Sequence, residues 1–169
     1  VVMNTPTGNT VTTGELAISL MCAVARNITR ADRRVRGGTW NKKGLLGTEL
    51  TGKTLGIVGL GRIGRVVADR ALGLSMKVVA HDPFLTTGAS PVDGVELLDL
   101  DQLLGRSDFV TLHMPLTDDT RNLISRDRLA LMKPGARLIN AARGGLVDDA
   151  ALADALESGH LAGAALDVL

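Results

Sequence analysis

Three glycines with a fixed spacing, Gly59, Gly61 and Gly64, follow a short apolar run. Gly59 lets a strand turn sharply, Gly61 lets backbone N–H groups approach a pyrophosphate, and Gly64 lets the following helix pack closely against a sheet. A side chain at any of the three would obstruct one of these tasks. The spacing favours a turn that binds the phosphates of a dinucleotide, although glycine-rich loops before helices are also common for other reasons.

The residues on both sides of the glycines have the character that such a site needs. Residues 55–58 are apolar with β-branched side chains, residues 62–74 carry a helical apolar face, and residues 77–80 again resemble a strand. Strand, turn, helix and strand is the order that a dinucleotide fold requires. The helix would point its positive N-terminus at the phosphates, and Arg62 would add a direct charge.

Asp82 follows the second apolar run and precedes Pro83. A carboxylate at this point can accept hydrogen bonds from both hydroxyls of an adenine ribose, and its charge would repel a 2′-phosphate. The pattern therefore predicts NAD(H) rather than NADP(H) as the cofactor. The alternative for Asp82 is a turn residue, because Asp-Pro pairs favour turns.

Arg143 comes just after a predicted buried strand at residues 137–141 and before two glycines. A guanidinium at the end of a buried strand can hold a carboxylate through two parallel hydrogen bonds, and it can polarise a carbonyl as a hydride arrives. We therefore predict that Arg143 is catalytic. The alternative is a surface arginine in an ion pair.

His113 follows the apolar run at residues 108–112, and histidine is a common proton donor and acceptor. We nevertheless favour a loop over residues 113–116 whose backbone, including Met114 and Pro115, lies along the cofactor. Proton transfer by His113 is the alternative.

The periodicity of apolar residues predicts the elements that position these groups. A long helix begins at Thr12, whose pairing with Glu15 resembles a capping box, and it ends near Gly37. The later half of this helix, residues 30–36, is strongly charged. We interpret it as a solvated face, with a subunit contact as the alternative.

Strands and helices alternate after the glycine turn. Beyond a loop at residues 88–94, we expect strands at residues 95–97, 108–112, 137–141 and 163–168, and helices at residues 99–104, 125–133 and 148–157. Several strands are apolar throughout, which indicates a parallel sheet covered on both faces with right-handed crossovers. The predicted fold class is α/β, a doubly wound parallel sheet of the Rossmann type with an N-terminal long helix. Ligands in such sheets lie at the carboxyl ends of the strands, where all the residues singled out above are placed.

The composition excludes several classes of protein. The chain has 169 residues, of which 45% are apolar and 22% charged, so it can form one globular domain with a core. A net charge of +1 and an aromatic content of 2% disfavour nucleic-acid binding. No apolar run approaches the roughly 20 residues of a membrane span, so we expect a cytoplasmic protein. Cys22, the single cysteine, lies in an apolar stretch and is expected to be a buried thiol without a redox role.

Several segments together resemble the cofactor domain of the D-2-hydroxyacid dehydrogenases. They are residues 54–64 (TLGIVGLGRIG), 81–83 (HDP), 113–116 (HMPL), 140–145 (NAARGG) and 164–168 (AALDV), with similarity also at residues 4–9 and 47–53. The resemblance implies an NAD-binding Rossmann domain and no metal. It places Arg62 and Ile63 on the pyrophosphate and Asp82 on the ribose. Around the nicotinamide it places Ala141, Ala142, Arg143 and Asp167, with Arg143 orienting the substrate.

The resemblance also implies what the 169 residues do not contain. The family completes catalysis with a glutamate and a histidine that follow the strand of Asp167, and its substrate domain flanks the cofactor domain on both sides. We therefore expect a fragment, with the substrate domain absent, that binds NAD(H) but turns over negligibly by itself. The family assigns residues 1–43 to a helix and a two-fold dimer contact, and it implies a small 2-hydroxy acid as substrate. The alternatives are a different substrate within the family, such as hydroxypyruvate, glyoxylate or formate, or an NAD(H)-sensing interaction module.

Overall fold

The computed structural model describes residues 8–85 and 90–169. Within these ranges the helices are α1 (Thr10–Ala25), α2 (Ile28–Arg36), α3 (Arg62–Gly73), α4 (Leu100–Arg106), α5 (Arg126–Leu131) and α6 (Asp149–Glu157). The strands are β1 (Thr54–Val58), β2 (Lys77–His81), β3 (Val95–Leu97), β4 (Phe109–Leu112), β5 (Arg137–Asn140) and β6 (Gly163–Leu166). Residues 1–7 and part of the loop predicted at residues 88–94 lie outside the described residues.

The strands form one parallel sheet in the order β3-β2-β1-β4-β5-β6. The order reverses between β1 and β4, and this switch point is where such sheets bind ligands. Val58 pairs with both His81 and Leu112, so β1, β2 and β4 end in register. Because of that register, the residues that follow these three strands meet at one edge. The Rossmann-type fold class predicted from the sequence is confirmed.

Helices cover both faces of the sheet, and each face has its own apolar core. On one face, α1 and α3 pack with residues that include Ala17, Met21, Val67 and Ala68. On the other face, α4, α5 and α6 pack with residues that include Leu103, Leu129 and Leu152. Most strand side chains are buried, as their uniformly apolar sequences predict.

Two glycines allow α1 to approach its neighbours closely. A Cβ on Gly14 would lie 2.7 Å from a methyl carbon of Val66 in α3, and a Cβ on Gly163 in β6 would lie 2.8 Å from a methyl carbon of Val24. The contact at Gly14 places the N-terminal half of α1 against α3, the helix that follows the glycine turn. The first helix therefore contributes to the ligand edge as well as to the core.

The long first helix is present, but it differs from the sequence prediction in two details. It begins at Thr10 with Asn9 as its N-cap, so Thr12 and Glu15 already lie inside the helix and form no capping box. It also ends at Ala25, and a second helix, α2, runs from Ile28 to Arg36 with Gly37 as its C-cap. Asn27 breaks the helix with φ at 55°, and its side-chain amide donates to the carbonyl oxygen of Leu46 at 3.1 Å. Leu46 is 19 residues away from Asn27, so the local periodicity of the sequence does not predict the break.

Two helices further along the chain begin with a side-chain cap. The hydroxyl of Ser125 accepts from the N–H of Arg128 at the start of α5, and the carboxylate of Asp148 accepts from the N–H of Ala151 at the start of α6. Cys22, expected to be buried, is only half-buried in α1. That partial burial raises the pKa of its thiol.

Candidate cofactor-binding site

The glycine turn is held against the ends of the neighbouring strands. Gly59 has φ at 97°, and its N–H donates to the carbonyl oxygen of His81 at 2.8 Å. A Cβ on Gly59 would overlap the carbonyl group of His113, and a Cβ on Gly64 would overlap the carbonyl oxygen of Gly59. The first and third glycines therefore allow contacts within the protein that no other residue permits.

Gly61 differs from the other two glycines of the motif. A Cβ placed there would meet no described atom within 4 Å, so the space above the turn is open. Gly61 is also the N-cap of α3 and offers no side chain to the first N–H groups of that helix. These features fit a pyrophosphate, which needs to approach the backbone closely at a helix N-terminus.

Asp82 is fixed by two backbone groups at the edge of this open space. Its carboxylate accepts from the N–H of Leu60 at 2.9 Å and from the N–H of Phe84 at 3.0 Å. The second contact is that of an Asx turn, so Asp82 does occupy the turn position that was its alternative interpretation. Each carboxylate oxygen can accept a further hydrogen bond, which leaves capacity for two ribose hydroxyls. Pro83 follows as an exposed turn residue.

A cleft of about 480 Å³ lies along the carboxyl edge of the sheet. Its walls come from the start of α1, the start of α3 and the segments after β4, β5 and β6. They comprise Asn9, Thr13, Leu16, Ile63, His113, Met114, Pro115, Ala141, Ala142, Arg143, Asp167 and Val168. Eight of the residues predicted from the sequence line this one cleft. The glycines, Arg62, Asp82 and Pro83 are not among its lining residues and belong to the adjoining turn.

The segment after β5 is held in place by the buried side chain of Asn140. Its amide donates to the carbonyl oxygen of Arg143 at 2.8 Å, and its oxygen accepts from the N–H of Ala142 at 3.0 Å. One amide thus bridges a three-residue turn and presents the exposed side chain of Arg143 to the cleft. Sequence reasoning missed this role, although a polar residue ending an apolar strand was a usable signal.

Asp167 is placed beside that segment by its backbone. Its N–H donates to the carbonyl oxygen of Asn140 at 2.9 Å, and its side chain is exposed. The carboxylate of Asp167 and the guanidinium of Arg143 therefore line the same end of the cleft.

His113 joins β4 to the glycine turn and is held as a neutral ring. The backbone N–H of His113 donates to the carbonyl oxygen of Val58 at 2.8 Å. In its ring, Nε2 lies 2.9 Å from the hydroxyl of Thr111. Nδ1 is buried without a hydrogen-bond partner among the described residues. Burial lowers the pKa of His113 to about 4, so the imidazolium form is scarce at neutral pH.

The N-terminal end of α1 contributes wall residues that sequence reasoning did not select. Asn9, Thr13 and Leu16 line the cleft, and their spacing of four and three residues places them on one face of a helix. That spacing was the available signal. It was missed because the segment was interpreted only as core and subunit contact.

Other kinds of site find no support in the part of the chain that the structure describes. Residues 8–85 and 90–169 contain no group of three or more histidine, cysteine or acidic side chains that could hold a metal ion. The longest helix described has 16 residues, and none has the length and hydropathy of a membrane span.

The sheet order, the glycine turn and the acidic residue after the second strand define a dinucleotide-binding domain of the Rossmann type. Residues 18–169 match the model of the D-isomer specific 2-hydroxyacid dehydrogenase, NAD binding domain. The chain belongs to this family, and its cofactor is NAD. The resemblance noted from the sequence is thereby confirmed.

Individual relatives agree with that assignment. The chain is 50% identical over 168 residues to a D-3-phosphoglycerate dehydrogenase of Archaeoglobus fulgidus, covering 99% of this chain and 32% of the relative. The solved pyruvate reductase of Chlamydomonas reinhardtii is 43% identical with a TM-score of 0.91, over 99% of this chain and 49% of that one. An acyclic imino acid reductase in complex with NADPH and D-Arg is 35% identical with a TM-score of 0.87, over 95% and 52%. The chain spans about one third of the length of the curated relatives it matches.

Proposed function

We propose that this chain is the cofactor domain of an NAD-dependent dehydrogenase that transfers hydride between C2 of a D-2-hydroxy acid and the nicotinamide. The observation that carries the proposal is the single cleft that Ile63, at the start of α3, shares with Arg143. This cleft connects the glycine turn, which suits a dinucleotide, with the guanidinium of Arg143, which suits a carboxylate. Among 2-hydroxy acids, 3-phosphoglycerate is the first candidate, because the curated relative that is 50% identical carries the name D-3-phosphoglycerate dehydrogenase. That substrate would place the enzyme in serine biosynthesis.

The turn would bind the adenosine and pyrophosphate half of NAD. Gly61 and the N–H groups at the start of α3 would receive the phosphates, together with Arg62 and Ile63. The carboxylate of Asp82, with Pro83 beside it, would accept hydrogen bonds from the ribose hydroxyls. The charge of Asp82 supports a preference for NAD(H) over NADP(H). A relative with the same fold does bind NADPH, so the preference would depend on residues such as Asp82 rather than on the fold.

The cleft would receive the nicotinamide half and the substrate. The backbone of His113, Met114 and Pro115 would lie along the cofactor, and Asp167 would lie near the nicotinamide ring. The Arg143 guanidinium would hold the substrate carboxylate through two hydrogen bonds and polarise the carbonyl that forms or reacts at C2. NAD supplies the hydride acceptor. Arg143 is the catalytic residue that we assign in this chain.

We assign proton transfer to groups that lie outside these 169 residues. A neutral His113 with a pKa of about 4 and a hydrogen bond to Thr111 is a poor acid at neutral pH, which supports the family's use of a histidine beyond Asp167. We therefore expect the 169 residues alone to bind NADH and to show negligible turnover. Near-normal activity of this chain by itself would contradict the proposal and would restore His113 as the acid–base group.

The substrate is tested with the full-length protein and a panel of 2-hydroxy and 2-keto acids, following NADH absorbance at 340 nm. The highest kcat/KM is expected with 3-phosphoglycerate. The similarity to a pyruvate reductase supports a second candidate, the reduction of a small 2-keto acid. Binding of NADH without turnover of any panel member would favour an NAD(H)-sensing module instead.

Residues 1–43 are proposed to contact a second copy of the chain. In support, α2 buries none of its residues, and the exposed side chains of Val35 and Trp40 border a small apolar cleft. The full-length protein is expected to sediment as a homodimer, and Trp40→Ser combined with Val35→Ser should weaken that dimer. Monomeric sedimentation of the wild type would contradict this contact. A cytoplasmic location belongs to the same proposal and is tested by cell fractionation.

A further inference from the structure

Arg65 and Asp82 bind the two backbone groups of Leu60, a residue of the glycine turn. Nε of Arg65 donates to the carbonyl oxygen of Leu60 at 3.1 Å, and the N–H of Leu60 donates to the carboxylate of Asp82 at 2.9 Å. A cation and an anion are therefore both fixed at the turn. Arg65 forms no ion pair with a described residue, so its charge is not neutralised by Asp82 through a direct contact.

The position of Arg65 on α3 places it on the side of Asp82. Arg65 shares a helical face with Leu72, seven residues later. Leu72 packs under Gly94, just before β3, where a Cβ would lie 3.4 Å from a methyl carbon of Leu72. Val66 instead faces α1, where it approaches Gly14. The face of Arg65 is thus turned toward β2 and β3, and Asp82 directly follows β2.

We propose that Arg65 is a cofactor-specificity residue that would bind the 2′-phosphate of NADP(H), and that the charge of Asp82 alone keeps this phosphate out. The inference rests on the proposed binding of the adenine ribose at Asp82. An ionised carboxylate repels a phosphate dianion at the same ribose position, and this repulsion offsets the attraction that Arg65 would supply. Once that charge is removed, Arg65 supplies the counter-charge that NADP(H) needs.

The chemistry of Arg65 suits this role. Only its Nε has a partner among the residues that the structure describes, and the two terminal nitrogens make no hydrogen bond to them. Those nitrogens present paired N–H donors, the geometry that binds a phosphate with two parallel hydrogen bonds. The bond from Nε to Leu60 fixes the guanidinium at the turn, which lowers the entropy lost on binding.

The test is a double-mutant cycle on the full-length protein, with the Kd of NADH and of NADPH measured by nicotinamide fluorescence. Asp82→Asn removes the charge but keeps an acceptor for the N–H of Leu60. We expect it to tighten NADPH binding by about tenfold or more, and Arg65→Gln in the same background to reverse most of that gain. The ratio of NADPH to NADH affinity is the readout, because only NADPH carries the 2′-phosphate.

Two comparison variants make the outcome specific to Arg65. Arg62→Gln should weaken both cofactors by similar factors, since the pyrophosphate is common to them. Arg70→Gln, at an exposed arginine on the last turn of the same helix, should leave the affinity ratio unchanged. If Asp82→Asn and its combination with Arg65→Gln bind NADPH equally tightly, the role of Arg65 is overturned.

The proposed function and this inference fail in distinguishable ways. Absence of NADH binding by the wild type would contradict the proposed function itself. Normal NADH binding with no gain in NADPH affinity for Asp82→Asn would overturn only the inference. Asp82→Ser, which is smaller but also neutral, repeats the cycle if thermal unfolding shows that Asp82→Asn does not fold.

Discussion

The two ends of the cofactor site are built in different ways. At the turn end, backbone groups of Gly59, Gly64 and His113 touch so closely that no side chain fits between them. At the end where we propose that the nicotinamide binds, the exposed side chains of Arg143 and Asp167 stand at the rim of an open cleft. The first end is rigid because the backbone itself forms it. The second depends on how side chains are held.

From this difference we expect the chain to complete only one half of the proposed site by itself. Backbone donors and a fixed carboxylate suffice to bind a dinucleotide, because binding needs only complementary charge and shape. Chemistry on the substrate needs a proton donor, and the ring of His113 is kept neutral by burial. Changes at Gly59 or Gly64 should therefore damage folding and cofactor binding together. Changes at the rim should damage turnover with much less effect on stability.

The largest effect is expected at Gly64. Its Cβ in Gly64→Ala would overlap the carbonyl oxygen of Gly59, and neither backbone segment can move without shifting β1 or α3. We expect a loss of about 3 kcal/mol or more in the free energy of unfolding, together with loss of NADH binding. Urea denaturation and nicotinamide fluorescence measure the two effects.

Gly61→Ala is the matched control within the same motif. A Cβ there meets no described atom within 4 Å, so stability should change by less than about 1 kcal/mol. NADH binding should nevertheless weaken, because the methyl group would occupy the space proposed for the pyrophosphate. Unchanged NADH affinity in Gly61→Ala would show that the phosphates do not approach this position.

The next largest effect is expected at the rim, for Arg143→Gln in the full-length enzyme. Loss of a bidentate contact to the substrate carboxylate should lower kcat/KM by about 100-fold or more, which corresponds to about 2.7 kcal/mol. Arg143→Lys should recover little of this loss, since an ammonium lacks the planar fork. Arg121→Gln, at an exposed arginine near Gly145, serves as the control. A similar loss of activity in both variants would argue against a specific role for Arg143.

A smaller effect is expected for Asn140→Ala, because Asn140 is a buried side chain that holds the turn presenting Arg143. The substitution leaves the N–H of Ala142 and the carbonyl oxygen of Arg143 without their partner, at a cost of about 1–3 kcal/mol in stability. Because the turn that presents Arg143 loosens, KM for the substrate should rise more than the Kd of NADH. Steady-state kinetics and thermal unfolding of the same preparation test both statements. An unchanged KM would make Asn140 purely structural.

Sequence reasoning predicted the backbone geometry of the turn because that end follows local rules. A glycine that must adopt a positive φ, as Gly59 does, and a carboxylate one strand later, as Asp82 is, are visible in any single sequence. The strand pattern likewise fixed the parallel sheet, since buried strands are apolar throughout.

Sequence reasoning failed where the decisive contact is distant along the chain. The break at Asn27 depends on Leu46, and the wall residues Asn9 and Thr13 reach the cleft only because α1 crosses the sheet at close range. These features arise from packing and hydrogen bonds between elements, which periodicity does not encode.

The smallest effect at neutral pH concerns His113, which lies between the two ends of the site. Because burial lowers its pKa to about 4, the native state stays neutral while the unfolded state, with a pKa near 6.5, takes up a proton as the pH falls. Stability from this group is therefore fully present above about pH 6.5 and is lost toward pH 4, by at most about 1.4 kcal/mol per pH unit. His113→Asn should show a shallower decline over this window in urea titrations. The quantity compared is the slope of the free energy of unfolding against pH, so a pH-independent loss of packing in the variant cancels. Identical slopes in the wild type and the variant would mean that His113 has the same pKa in the native and unfolded states.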